Sequence, residues 1–464
     1  MFQQIRGFFM NILNLFRSYT IEQITGIETN ITGEMYERIS LWADMVAGHA
    51  PWNDKAPPCG ILDQIAGRLN NLVSREIGLE VENEAIALPM YHLNDNVDKV
   101  VEYITLLGGC VIRPIYSNSK LQYEAIPLGN YLPTRYDFDG TLTGALIMKN
   151  IIDGNKRFLL TEEHDFDGTH HTVKCTLYAN EGGALKLVPL SACSQTGNIT
   201  PVYTWQNVAQ PMIIEFRNHA VNKIDGSNVP VALIAGVENL IKDADEQYER
   251  MNWEQKAGEA RVWADRDMFK KRTIRDGKTV GVQMTKELNR LVTMIDGDGS
   301  AEGKKIIEHT PALRTDAQNA MLQQIFRRIE LSSNIGKGTI SDAEAVQQTA
   351  TQYTGGRQEL YAIVDRIEDE IKAKYQLCAN VFAYMAAAYG IGQNNATITV
   401  TWNDDQTRKD MGQAKLLAIN EINAGVKSKW EYRRDFYGED EATARANVPP
   451  PEAAPDPFSF GGVA

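Results

Sequence analysis

Cysteines are few, and none of them sit in a C-x-x-C pair. Cys59, Cys110, Cys175, Cys193 and Cys378 are scattered along the chain. Five is an odd count, so a disulfide framework leaves one over, and free structural thiols in a reducing cytoplasm are the simpler reading. No apolar run approaches the roughly 18 residues that a transmembrane helix needs, so no membrane span is expected. The stretch Met1–Phe16 has one arginine, an apolar run broken by Asn11 and Asn14, and no small-residue cleavage site after it. It does not read as a signal peptide. Ile5, Phe9, Ile12 and Phe16 instead share one helical face, which predicts a docking helix. No tandem repeat of fixed period is present. Positive charge is also in deficit: 47 Lys and Arg stand against 60 Asp and Glu, a net charge of −13. Such a chain does not wrap DNA tightly, because tight non-specific binding needs many cation–phosphate contacts. A brief touch on DNA is still open to it.

What is present is globular. Hydrophobic residues make up 43% and charged residues 23% of the 464, close to the soluble average. The length suits two to four packed units at about 100–200 residues each. Residues 19–82 read as helical, with loops at Gly48–Gly60. From about 83 to 218, one helix (Leu93–Leu107) precedes short β-branched runs. These are separated by Gly108-Gly109, Asp139-Gly140, Asp153-Gly154, Asp167-Gly168 and Gly182-Gly183. Asp-Gly between two short runs favours a tight hairpin, because the turn needs positive φ. Arg157–Phe166 and Thr169–Tyr178 form the clearest pair, so this block is an antiparallel sheet domain.

After Asp225-Gly226, Pro230 suits a first helical turn. Ile234, Val237, Ile241, Ala244, Tyr248 and Met251 then step by three and four, a coiled-coil-type seam. The spacing predicts a helix running to about Lys256. A strand-like insertion over 262–312 follows. A return helix comes next, with Thr315 and Gln318 as a capping box and Leu322, Ile325 and Ile329 as its apolar face. A loop at Asn334–Thr339 leads to a second capping pattern, Ser341 and Glu344, interrupted by Gly355-Gly356. A long helix spans about 358–389, a strand Thr397–Trp402, and a polar helical pair 406–424 and 428–445. The Pro/Ala-rich tail from Pro449 reads as disordered. A projecting stalk of two helices with a heptad-like face needs neighbours, and other copies of the chain are the nearest source.

Several motifs carry possible chemistry. Asp137-Phe138-Asp139-Gly140-Thr141 resembles the nucleophile loop of haloacid-dehalogenase-type phosphatases, with Asp137 as nucleophile and Asp139 as acid/base. That chemistry needs a buried parallel strand, which reads as a near-continuous apolar run. Here Pro133 and Arg135 precede the motif, and Asp-Phe-Asp-Gly-Thr recurs at Asp165–Thr169 inside a hairpin. No catalytic residue is assigned on this basis; the phosphatase stays as the alternative function. His164, Asp165, Asp167, His170 and His171 look like ligands, but adjacent His170 and His171 point to opposite faces of a strand. His164 and His171 can approach across the hairpin; the plainer reading is a polar, solvated hairpin, with no metal and no cofactor. Gly336-Lys337-Gly338-Thr339 lacks the spacing of a phosphate-binding loop and reads as a flexible loop with one exposed cation. Residues 266–305 hold ten cations, among them Lys270, Lys271, Arg272 and Arg275, against six anions. This is a solvated surface or a contact for an acidic partner or passing nucleic acid.

In order, the chain resembles the portal proteins of tailed bacteriophages, in the branch typical of long-tailed phages of Gram-positive hosts. The features that carry the resemblance are Tyr36-x-x-Ile39-x-x-Trp42 with Ala47-Gly48, Leu160-Thr161-Glu162-x-His164-Asp165-Phe166, Asn222-Lys223-Ile224-Asp225, Ala343-Glu344-Ala345-Val346 with Thr349-Ala350-Thr351, and Val400-x-Trp402-x-Asp404 with Asp410 and Gly425-x-x-Ser428. The resemblance implies an α+β portal fold with an antiparallel β-rich wing, a long-helix stem, a small α/β clip and a helical crown. The corresponding segments are an N-terminal arm 1–29, wing 30–225, stem helix 226–262, clip 263–312, stem return helix 313–334, tunnel-loop region 335–356, long helix and wing strand 357–402, crown 403–448 and tail 449–464. It further implies a homo-oligomeric ring, usually a 12-mer, at one capsid vertex of the virion, assembled in the host cytoplasm. Double-stranded DNA passes transiently through the channel. The large terminase, the head–tail adaptor, and capsid and scaffolding proteins are the partners, with no membrane and no enzymatic activity. On this reading Lys337 and Thr339 face the channel, and Lys270, Lys271, Arg272 and Arg275 meet the clip's partner. Ile234, Val237, Ile241, Ala244 and Tyr248 form the oligomer interface. A cytoplasmic oligomeric scaffold without a DNA role is a further alternative.

Overall fold

A computed structural model describes residues 25–74, 77–181, 184–258, 261–265, 274–275, 278–279, 292–295, 306–309, 312–342, 358–402 and 411–448. Most of the expected N-terminal arm, including Ile5, Phe9, Ile12 and Phe16, lies outside them, as do Gly182-Gly183, residues 343–357 and the tail.

Helix α1 (Gly33–Val46) starts where Thr32 accepts a hydrogen bond from the Met35 N–H at 3.2 Å, satisfying one of the donors a helix start leaves open. It buries Met35, Ile39, Trp42, Ala43 and Met45. Helix α2 (Ile61–Val73) buries Ile61, Leu62, Ile65, Ala66, Leu69 and Val73. The helical reading of 19–82 then fails at β1 (Ile77–Val81), a strand. Its alternation of half-buried and exposed residues is short, and its partner lies some 320 residues on. The one helix expected at Leu93–Leu107 is two: α3 (Glu84–Asp95), capped by Asn83, and α4 (Val97–Leu107).

Gly108-Gly109 is not a hairpin turn. Gly108 ends α4 in the left-handed region at φ +92°, and a Cβ there would meet the Pro230 carbonyl at 2.9 Å. Gly109 opens β2 (Gly109–Ser117), which pairs antiparallel with β3 (Lys120–Pro127). Next come β4 (Tyr131–Tyr136), β5 (Leu142–Asp153), β6 (Lys156–Phe166), β7 (His171–Glu181) and β8 (Ala184–Val188), adjacent in that order in one antiparallel sheet. β9 (Val202–Trp205) shares the β8 edge of β7. Hairpins form at all three Asp-Gly sites, with Gly140, Gly154 and Gly168 at positive φ. Only Gly154-Asn155 is a two-residue turn; β4–β5 and β6–β7 are joined by the longer turns 137–141 and 167–170, so β7 starts at His171 and not at Thr169. β10 (Ile214–Arg217) joins β2 to complete the order β10-β2-β3.

The expected stem helix begins late. Residues 228–237 are irregular, with a turn over 233–236 and Gly236 at φ +90°, and α5 runs only over Glu238–Ala257. Pro230 is in the loop. Asn222 organises this entry: its amide donates to Asp225 Oδ1 (2.8 Å) and the Val229 carbonyl (3.1 Å). At the far end lie β11 (Arg261–Asp265), β12 (Ile274–Arg275), β13 (Lys278–Thr279), β14 (Val292–Ile295) and β15 (Ile306–His309). β11 pairs parallel with β14 and antiparallel with β15, a small mixed sheet.

Helix α6 (Thr315–Ser333) returns along α5. The Thr315/Gln318 capping box does not form. Arg314 is the N-cap, and Glu254 of α5 accepts from the Arg314 N–H (3.2 Å) and the Gln318 amide (2.9 Å). The capping partner is thus tertiary. Helix α7 (Gln358–Ala388), 31 residues long, is the spine of the body. Leu360, Val364, Ile367, Ile371, Tyr375, Cys378 and Phe382 are buried along it, and the Tyr375 ring meets Phe216 edge-on at 6.2 Å. β16 (Ile398–Trp402) pairs with β1, Ile77 opposite Trp402. The expected helical pair at the C-terminal end is a trio: α8 (Met411–Asn423), α9 (Lys429–Tyr437) and α10 (Glu441–Ala446). The molecule is mixed α+β with mainly antiparallel sheets. All five cysteines are free.

Candidate functional site

The root of the α5/α6 stalk and the elements packed on it hold a group of buried carboxylates, each accepting hydrogen bonds from other parts of the chain. Glu330 sits on the buried face of α6, one turn after Phe326, and is fully buried. It accepts from the Gly338 N–H (3.1 Å), the Ile340 N–H (2.7 Å), and the Ser341 N–H and hydroxyl (2.7 and 2.8 Å). The loop 334–341 is therefore wrapped around a carboxylate instead of swinging freely. Ile335 and Ile340 are buried beside it. The flexible-loop expectation needs correcting. Thr339 is buried, its hydroxyl 2.6 Å from the Ile335 carbonyl and 2.9 Å from that of Gly336, so it cannot face a channel. Lys337 is exposed on the outside of this turn.

Glu238 opens α5, where an acid favours the helix dipole. It accepts from Trp42 Nε1 (2.9 Å) and from the Gly236 N–H (2.8 Å). Asp245, two turns on, accepts from Trp52 Nε1 (2.9 Å) and the Cys59 N–H (2.8 Å). Burial, with that carboxylate beside it, pushes the Cys59 thiol up to about 12. Glu370 of α7 takes the Arg217 N–H (2.9 Å) and His219 Nε2 (2.8 Å). Glu215 accepts from the hydroxyls of Tyr131 (2.9 Å) and Tyr136 (3.0 Å), and its burial raises its pKa against the pull of Arg217. Between these elements lies a cavity of about 680 Å³, bordered by Arg38, Lys223, Ala232, Gly236, Asn334 and Arg366.

The seam expected between subunits belongs to the chain's own core. Ile234, Val237, Ile241 and Ala244 are all at most 4% exposed and pack with the body. Stepping by three and four signals a buried face; it does not say whose surface buries it. Tyr248, further along α5, is 39% exposed, and Trp253 is 65% exposed. Across the stalk, Leu313, Met321 and Leu331 are also exposed. Of the five residues expected at the interface Tyr248 alone is exposed, and it shares the uncovered apolar surface with Trp253 on α5 and Leu313, Met321 and Leu331 on or beside α6.

Lys270, Lys271 and Arg272 lie outside the described residues. Arg275 is in β12, opposite Lys278 of β13. Asp137 and Asp139 occupy the exposed turn between antiparallel β4 and β5. Each accepts a backbone N–H of that turn, from Phe138 and Thr141, both at 2.8 Å. No parallel strand presents them. Among the described residues, no group of three or more His, Cys, Asp or Glu gathers as a metal site, and no helix is long and apolar enough to cross a membrane. His170 is half-buried in the turn before β7, and His171, the first residue of that strand, is buried. The solvated-hairpin reading is wrong for His164 and His171, which are 3% and 0% exposed.

The buried carboxylates were not read from the sequence. Glu330 had a signal: with Phe326 four residues before it, it places a charge on an otherwise apolar helical face. Such a residue needs donors from elsewhere. No family model and no characterised protein matches the chain.

Proposed function

We propose that the chain is the subunit of a portal-type ring, the conduit at a capsid vertex through which double-stranded DNA is packaged and ejected. In this role it docks the terminase motor and the head–tail adaptor and sits among capsid and scaffolding proteins. The observation that carries the reading is the α5/α6 hairpin. It is a helix of 20 residues, about 30 Å at 1.5 Å per residue, with a return helix packed along it. A small sheet lies at its tip, a compact loop at its root, and a 31-residue helix follows. An antiparallel sheet domain precedes this hairpin and a helical C-terminal unit follows, which is the wing, stem, clip, long-helix and crown order of that family. Electrostatics supports it too. A subunit of net charge −13, repeated around a channel, repels the polyanion and offers few phosphate-binding cations, so DNA slides without being held.

In this reading the rigid turn at 334–341 presents Lys337 to the lumen. The subunits meet through the outboard stalk surface of Tyr248 and Trp253 rather than through Ile234, Val237, Ile241 and Ala244. An in vitro packaging assay tests the assignment. Lys337→Glu adds one anion per subunit at the constriction and should slow or abort packaging, while Lys337→Ala should leave assembly intact. Normal packaging of genome-length DNA by Lys337→Glu removes the lumen role of this turn.

A further inference from the structure

His164 of β6 and His171 of β7 meet inside the hairpin sheet, with His164 Nδ1 3.0 Å from His171 Nε2. The groups on either side fix the tautomers. The Met212 N–H points at His171 Nδ1 (3.4 Å), so that nitrogen is the acceptor and His171 carries its hydrogen on Nε2. His171 then donates to His164 Nδ1. His164 carries its hydrogen on Nε2, which faces Glu162 Oε2 at 3.6 Å. Glu162 in turn holds the buried Arg113 of β2, whose other Nη reaches Glu124 of β3 at 2.6 Å. Lys149 of β5 meets Glu124 at 3.1 Å. Two hydrogen bonds, Met212 N–H to His171 and His171 to His164, followed by the His164–Glu162 approach and the Glu162–Arg113 ion pair, thus connect the backbone before β10 to the β2 strand. They tie the β4–β9 sheet to the β10-β2-β3 sheet.

We propose that this His164–His171 relay is an acid-sensitive latch between the two sheets, closed when both rings are neutral and opened by proton uptake. The geometry leaves no place for an added proton. On His171 it would occupy Nδ1 and face the Met212 N–H; on His164 it would occupy Nδ1 and face the His171 N–H. Either turns an acceptor into a donor aimed at a donor, in a buried site. The charged and titratable groups around the pair are Arg113, Glu162, Glu124, Lys149, Cys175 and Tyr203. Glu162 alone favours a second positive charge, and Arg113 already neutralises it. Burial, and then His164, lower the His171 pKa to about 3; burial and Arg113 lower that of His164 against the pull of Glu162.

Both histidines are depressed in the folded state. Their neutral-state contribution is therefore full above the unfolded pKa of about 6.5 and is lost progressively as pH falls below it. Each ring shifts the closed–open balance by up to about tenfold per pH unit in that range. Glu162, which His164 and Arg113 hold at about 2 despite its burial, adds acid sensitivity only below the ordinary carboxylate range of about 4.3. The interval from pH 6.5 to 5 thus separates the histidines from Glu162, and the double variant separates them from every other titrating group.

The test is amide hydrogen exchange by mass spectrometry on the full-length protein at pH 7 and pH 5, with rates corrected for intrinsic chemistry. Segments 158–166 and 206–214 should exchange at least tenfold faster at pH 5, while α7 is unchanged. The pair His164→Gln/His171→Gln should remove that pH dependence, and His170→Gln, in the exposed turn, should keep it. Urea midpoints of the wild type at the two pH values provide a readout that does not depend on a variant folding. They should fall with pH, by an amount corresponding to between one and two protons taken up on unfolding. Wild-type protection that is the same at pH 7 and 5, a pH-independent urea midpoint, or pH dependence that survives in the double variant would each overturn the latch.

Discussion

The body and the stalk treat the same kinds of residue in opposite ways. In the body, apolar faces and carboxylates are closed off by the chain itself: α7 buries Tyr375, Phe382 and Ile371, and Glu330 and Glu238 have donors on both carboxylate oxygens. Along the stalk, Tyr248, Trp253, Leu313, Met321 and Leu331 stand in solvent; the helices meet through buried Gln247, Leu322 and Phe326, and toward the tip through the pair Arg314–Glu254, whose arginine is exposed. A surface pair of this kind contributes little to stability. The C-terminal trio goes further. Among its described side chains only Ala418 and Ala444 are buried, while Leu416, Leu417 and Val426 are exposed. Where the chain completes its own interior, substitution should unfold it; where it leaves apolar surface open, substitution should change what it binds.

The largest effect expected is from Ile241→Asp. An unpaired charge at a site 4% exposed should cost about 3–5 kcal/mol, and denaturant titration should show the protomer itself destabilised. Loss of assembly with an unchanged unfolding midpoint would put Ile241 back at a subunit interface. Glu330→Ala comes next. It leaves the N–H groups of Gly338, Ile340 and Ser341 without their acceptor, at about 3 kcal/mol, and exchange of those amides should rise. Trp42→Phe removes the donor to Glu238, at about 2 kcal/mol for a bond to a charged group, and leaves a small cavity where the larger indole was buried. At the other extreme, Tyr248→Ala with Trp253→Ala should move the unfolding midpoint of the protomer by less than about 0.5 kcal/mol each, yet lower the mass of the assembly. If these two destabilise the protomer as much as Trp42→Phe does, the contrast between body and stalk is lost.

Local chemistry was legible in the sequence and tertiary partnership was not. The Asp139-Gly140, Asp153-Gly154 and Asp167-Gly168 hairpins were readable because a glycine at positive φ reverses the chain locally, although only Gly154-Asn155 is a two-residue turn. The return helix and the long helix were readable from their periodicity. β1 was missed because a five-residue strand becomes one only through β16, far along the chain. The capping of α6 was assigned to Thr315 and Gln318, when the acceptor is Glu254 on another helix. For the candidate site, Lys337 was placed correctly on an exposed loop. Thr339 and the Ile234–Ala244 seam were assigned to open surfaces, because a buried pattern in sequence does not name the surface that covers it.

The central claim is that the open stalk surface is covered by further copies of the same chain. Light scattering coupled to size exclusion tests it most directly. A single species with a mass about twelve times that of the chain, reduced by Tyr248→Ala with Trp253→Ala, is the result the account predicts. A monomer at every concentration, with the same exposed stalk, would contradict it.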